Sequence, residues 1–113
     1  MKSHYQAAFI VPVGASKIFG EYGWEFESAR RLSDSLPEQL ANRLKLELSD
    51  EYTGVRKFIG DMINMSVFLD EHNEIETLYF QVFGDTLSAL ENAFSGKDFA
   101  YEAELFIPGN VEK

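Results

Sequence analysis

The chain has 113 residues, no cysteine, and 19 acidic against 10 basic side chains, for a net charge of -9. Lack of cysteine excludes disulfides, thiolate metal sites and cysteine nucleophiles and agrees with a reducing compartment, while the acidity disfavours nucleic acid and anionic membrane surfaces as partners. A hydrophobic share of 45%, with 10 Phe, 5 Tyr and one Trp, supplies one core, so residues 1–113 read as a single domain; two would starve each core.

The first apolar stretch, His4 to Pro12, is β-prone and runs into Val13-Gly14, which predicts a strand ending in a turn. Only Lys2 precedes it as a basic residue and Pro12 breaks it, so it reads as a strand rather than a signal peptide or membrane span. Between Lys17 and Glu27, Tyr22, Trp24 and Phe26 recur at period two with glycines at 20 and 23. That is the pattern of a short edge strand or an ordered loop with an aromatic side.

Ser35-Leu36-Pro37-Glu38 has the form of a capping box, with Pro37 in the first turn where its missing N–H costs nothing. From there Leu36, Leu40, Leu44 and Leu48 recur at i+4 with Ala41 alongside, and Glu38, Arg43, Lys45 and Glu47 take the outer side of a helix. Val55, Phe58, Ile59 and Met62 at i, i+3, i+4 and i+7 predict a second helix or a bent continuation past Gly54.

Ile63, Met65, Val67 and Leu69 alternate with polar neighbours, as do Leu78, Phe80 and Val82, and the charged loop 70–74 joins two strands as a hairpin. Gly84-Asp85 opens another helix, with Asp85 as N-cap and Leu87, Leu90, Ala93 and Phe94 buried, ending at Gly96. In the last strand Phe99, Tyr101, Ala103, Leu105 and Ile107 share one face, Ala100, Glu102, Glu104 and Phe106 the other, and Pro108-Gly109 stops it. The resulting β-α-α-β-β-α-β order predicts an α+β fold: an antiparallel, ferredoxin-like sheet of about four strands with helices on one face and the first and third strands central.

Chemistry-bearing motifs are scarce. His4 and His72 stand near no nucleophile or orienting acid, and His72 with Glu71, Glu74 and Glu76 matches no metal-loop spacing. Gly20 and Gly23 belong to no phosphate-cradling pattern. Glu102 and Glu104 form an i, i+2 carboxylate pair, as expected somewhere among 19 acids on a solvated strand. No cofactor, metal or catalytic residue is predicted.

What remains is a surface. On the sheet face away from the helices, Phe68, Tyr79, Gln81, Glu102, Glu104 and Phe106 come together unless the segment Lys17 to Glu27 folds across them. Rings among carboxylates suit a cationic protein partner. The expectation is a small cytoplasmic protein-binding module that neutralises or regulates a basic partner, with Trp24, Glu25, Tyr79, Glu102 and Glu104 as contact residues. Its general character is that of bacterial immunity proteins and other acidic inhibitors, though no family motif is present residue by residue. The alternative is a small-ligand-binding or catalytic α+β domain with an apolar pocket. An open sheet face or edge also allows self-association.

Overall fold

The computed structural model describes residues 5–95 and 101–108. Its elements run β1 (Tyr5–Pro12), β2 (Ser16–Gly20), β3 (Gly23–Glu27), α1 (Leu36–Leu44), β4 (Glu47–Tyr52), β5 (Val55–Ile59), β6 (Ile63–Leu69), β7 (Ile75–Phe83), α2 (Leu87–Phe94) and β8 (Ala103–Phe106). Six strands form one antiparallel sheet in the order β4-β5-β6-β7-β1-β8, and β2 and β3 form a separate two-stranded hairpin.

The four-stranded ferredoxin-like arrangement is therefore incorrect, and the fold is mostly β. The largest error falls on residues 47–59, read as helical and folded as the β4–β5 hairpin. Helix α1 stops where Lys45 turns left-handed at φ 62°, with its N–H reaching the carbonyls of Ala41 and Asn42. Leu48 thus leaves the helical stripe and pairs with Phe58 across the hairpin. Thr53-Gly54 makes the turn, Gly54 taking φ +83° where a side chain would be strained. Val55, Phe58, Ile59 and Met62 satisfy a helical period, yet only Phe58 of the four is buried.

Both predicted N-caps differ in detail. Ser35 precedes α1 but its hydroxyl does not cap the backbone; it accepts from Gln39 Nε2 at 3.0 Å and shares a hydrogen bond with Ser33 Oγ. Thr86 replaces Asp85 as the residue before α2, and its hydroxyl donates to the carbonyls of Phe83 and Met62. The predicted helix end at Gly96, and His4, Phe99, Ala100 and Gly109, lie outside the described residues.

Alternation along the strands fixes which side of the sheet the helices cover. Ala8 and Ile10 of β1 lie opposite Phe80 and Leu78 of β7, which lie opposite Met65 and Val67 of β6, and all are fully buried. Leu36, Leu40 and Ala41 of α1 and Leu90 and Phe94 of α2 close this core, with Leu32 joining from the linker. Large side chains fill the space between sheet and helices, Phe80, Leu36, Leu40, Met65, Leu78 and Leu90 among them.

The sheet's outer strand β4 has all six residues exposed, three of them acidic, and a bulge between Leu48 and Asp50. Charge and bulging both hinder edge-to-edge pairing. The β5–β6 turn brings Gly60 against the core: its N–H donates to the Ile63 carbonyl at 2.9 Å, and an added Cβ would collide with the Leu46 side chain and sit 3.2 Å from that carbonyl oxygen. Gly60→Ala should therefore cost about 1–3 kcal/mol in urea unfolding, the usual range for overpacking.

Asp70 organises the β6–β7 loop. One carboxylate oxygen accepts the backbone N–H groups of His72 and Glu74 at 2.8 and 2.9 Å, and the other accepts from Arg31 Nε at 3.1 Å. These bonds, the Glu74 N–H first, hold the Asp70 carboxyl below its ordinary value although partial desolvation opposes them. A depressed folded-state value contributes stability above the unfolded-state value and loses it as pH falls through the folded one. Asp70→Asn should be less stable than the native chain at neutral pH, with the two unfolding curves converging in strong acid.

Candidate functional site

The opposite side of the sheet carries Phe9 of β1, Tyr79 of β7 and Phe106 of β8, and the β2–β3 hairpin lies over part of it. The hairpin forms because Gly20 pairs with Gly23 around Glu21-Tyr22, Gly23 taking φ +123°. Opposed pairs Phe19–Trp24 and Lys17–Phe26 then share one hairpin face.

That face meets the sheet ring on ring. Phe26 lies 4.9 Å from Phe9 and 5.8 Å from Phe106, and Trp24 lies 4.9 Å from Phe106 and 5.0 Å from Phe19, between ring centroids. Phe9 continues the cluster to Tyr79 at 5.1 Å. Spacings and tilts of this kind favour aromatic contacts beyond the area they bury. The hairpin thus supplies a small second apolar layer, neither fully buried nor separate.

Polar groups fasten it on the β8 side. Glu104 Oε2 accepts the Gly14 N–H at 3.0 Å and pairs with Lys17 Nζ at 3.5 Å, while that ammonium sits 5.5 Å from the Phe106 ring centroid. Because the Glu104 side chain is 40% exposed, the bonds are worth little more than a surface contact. Glu104→Ala should cost about 1 kcal/mol in thermal unfolding. Glu102 belongs to the turn before β8, where its Oε2 accepts the Ser33 N–H at 2.8 Å and its carbonyl accepts from Val13.

On the β6 side the hairpin leaves a groove of about 360 Å³ lined by Phe9, Trp24, Phe26 and Phe68, with Glu25, Glu76, Thr77 and Leu69 around them. The Glu25 carboxylate packs over Gly20 on the hairpin face opposite Trp24 and Phe26, and neither the Glu25 nor the Glu76 side chain makes a hydrogen bond or ion pair among the described residues. Beyond the groove the hairpin tip projects, with Phe19 66% and Tyr22 91% exposed.

Of the residues expected to act together, Trp24 and Glu25 line this groove and Tyr79 packs beside it on Phe9. Burial pushes the Tyr79 hydroxyl up to about 12, with Tyr5 reinforcing the shift and Gln81 opposing it, so it stays protonated as a hydrogen-bond donor. Glu102 and Glu104 lie elsewhere, each engaged within the chain. They do not form the shared strand face expected of them, because β8 begins only at Ala103. For the same reason Tyr101, expected to face the helices, sits in a turn at 75% exposure.

Sequence reasoning missed Phe9, Phe19 and Glu76. Phe9 stands between the buried Ala8 and Ile10 and therefore had to face outward, a signal present in the alternation. Phe19 follows from reading Gly20-Glu21-Tyr22-Gly23 as a hairpin turn. Glu76 carried no signal, since the groove exists only once the hairpin is placed.

Among the described residues no cluster of three or more metal-ligating side chains occurs, and no helix is long and apolar enough to cross a membrane. Compared with known proteins, the chain matches no family model, no curated protein and no solved structure.

Proposed function

We propose that the protein is a protein-binding module that neutralises or regulates a basic partner, and that its contact surface is the β2–β3 hairpin with the sheet face beside it. The observation that carries this reading is the aromatic groove beside the hairpin, with Glu76 at its edge. Rings that are half-buried, held by neighbours and open on one side offer contact area at little entropic cost. Glu76 at the groove and Glu25 on the outer face of the hairpin, together with the net charge of -9, favour a cationic surface and disfavour an anionic one. The exposed tip rings, Phe19 and Tyr22, extend the apolar area past the groove.

The contact set differs from the one read from sequence. Trp24, Glu25 and Tyr79 stay within it, while Glu102 and Glu104 act in holding the α1 linker and the hairpin.

Affinity capture from lysate of the source cells tests the proposal, with native bait beside a Phe19→Ser/Tyr22→Ser variant and washes at low and high salt. The expected result is a basic protein retained by the native bait at low salt, depleted at high salt and depleted on the variant. Empty capture at both salts, or retention that ignores both salt and the variant, would overturn it.

A further inference from the structure

We infer that the free edge of β3 is a docking site for one extended segment of the partner, a β-strand in which apolar residues alternate with basic ones. The inference rests on the protein-binding reading and names the form and chemistry of the segment recognised there.

Among the described residues β3 pairs with β2 alone, and no backbone hydrogen bond joins the two hairpin strands to the six-stranded sheet. In a hairpin with a two-residue loop, the pair that closes the loop exchanges both backbone hydrogen bonds, and bonded and unbonded pairs alternate from there. With Gly20 and Gly23 closing this loop, Gly23, Glu25 and Glu27 turn their N–H and C=O groups toward β2, while Trp24 and Phe26 turn theirs outward. The groove runs along that outward edge, since the hairpin residues lining it, Trp24, Glu25 and Phe26, all belong to β3. An edge of this kind is a template for another strand. The sheet's own outer strand β4 breaks its register with a bulge, whereas β3 is regular and holds neither lysine nor proline. A two-stranded ribbon is marginal by itself and gains stability from a third strand.

The two faces of β3 select the sequence of the added strand. Residues set opposite Trp24 and Phe26 send their side chains toward the sheet, into a groove whose rings favour apolar groups. Residues set opposite Glu25 and Glu27 point the other way, beside two exposed carboxylates on the outer face of the hairpin. Neither carboxylate makes a hydrogen bond or ion pair among the described residues. Basic side chains there form two cross-strand charge pairs, and acidic ones meet like charge. Main-chain hydrogen bonds thus supply attachment, and the alternation of apolar and basic residues supplies selectivity.

The test uses a capped eight-residue peptide of alternating valine and lysine and three relatives of it: alternating valine and glutamate, the parent N-methylated at its valines, and the parent N-methylated at its lysines. Only the valine amides face β3 in this pairing, so the two methylated peptides keep the same charge and differ in the hydrogen bonds they can make. Binding is read from the emission of Trp24, the only tryptophan in the chain, and from hydrogen exchange at single amides by NMR. The expected result is a saturable emission change with added protection of the Trp24 and Phe26 amides. Methylation at the lysines leaves the affinity within about threefold, and methylation at the valines weakens it about tenfold or more. The valine–glutamate peptide does not saturate, and a Glu25→Gln/Glu27→Gln variant, its fold checked by circular dichroism, binds the parent about threefold to tenfold more weakly. Equal affinities of the two methylated peptides, equal binding of the glutamate peptide, an unchanged affinity in the variant, or no saturable response would overturn the assignment. If a basic protein is captured in a Phe19- and Tyr22-dependent way while the parent peptide leaves the Trp24 and Phe26 amides unprotected, the strand assignment fails and the protein-binding reading stands. If capture is also empty, both fail.

Discussion

Phe106→Ala is expected to cost about 2–4 kcal/mol and to free the β2–β3 hairpin from the sheet, seen as a red shift of Trp24 emission well before the core unfolds. The magnitude lies slightly below the usual range for deleting a buried phenylalanine because Phe106 is only partly buried. Its position makes the effect specific. The ring meets Trp24, Phe26 and Phe9 and lies beneath the Lys17 ammonium, so one truncation removes most of what the hairpin rests on. The core on the helix side, around Phe80 and Leu40, touches none of these rings in a ring contact and should keep its far-ultraviolet signal. Phe19→Ala, which removes a ring at the exposed end of the same cluster, should cost less than about 1 kcal/mol and leave the emission maximum nearly unchanged, since it is 66% exposed.

Reversing the charges on the hairpin's outer face and at the groove, Glu25→Lys with Glu76→Lys, should weaken binding of the captured partner by tens- to several-hundredfold at low salt, for about 1–2 kcal/mol per reversed charge. The same change should flatten the salt dependence, because the attraction that salt screens has been removed. Stability should change little, as neither carboxylate is bonded within the described chain. Charge changes at Glu102 and Glu104 should show the converse pattern. Their carboxylates accept the Ser33 and Gly14 N–H groups, so stability falls and affinity follows only as the hairpin and the α1 linker loosen.

How much of this was legible in the sequence differs from segment to segment. The strands at 63–69 and 75–83 alternate cleanly between core and outer face, and α1 carries its leucines at helical spacing, so periodicity identified them. Residues 47–59 misled because Val55, Phe58, Ile59 and Met62 fit a helical period by chance, while the informative signal was Thr53-Gly54 between two β-capable runs. That single misreading replaced a hairpin with a helix and shortened the predicted sheet by two strands. The aromatic run 22–26 was visible as a feature, but its placement depended on a tertiary contact with Phe9 and Phe106 that no local pattern encodes. The candidate site followed the same rule: Trp24 and Glu25 stood out from local alternation, whereas Glu76 and Phe68 join them only because the hairpin ends over the β6 side of the sheet.

Whether this hairpin and the sheet face beside it form the surface that meets a partner is decided by amide hydrogen exchange of the protein alone and bound to its captured partner. Added protection is expected in β3 around Trp24 and Glu25, at the hairpin tip around Tyr22, and in β6 and β7 around Phe68 and Glu76, with α1 and α2 unchanged. Protection confined to α1, α2 or the exposed β4 edge, with the hairpin exchanging as in the free protein, would contradict it.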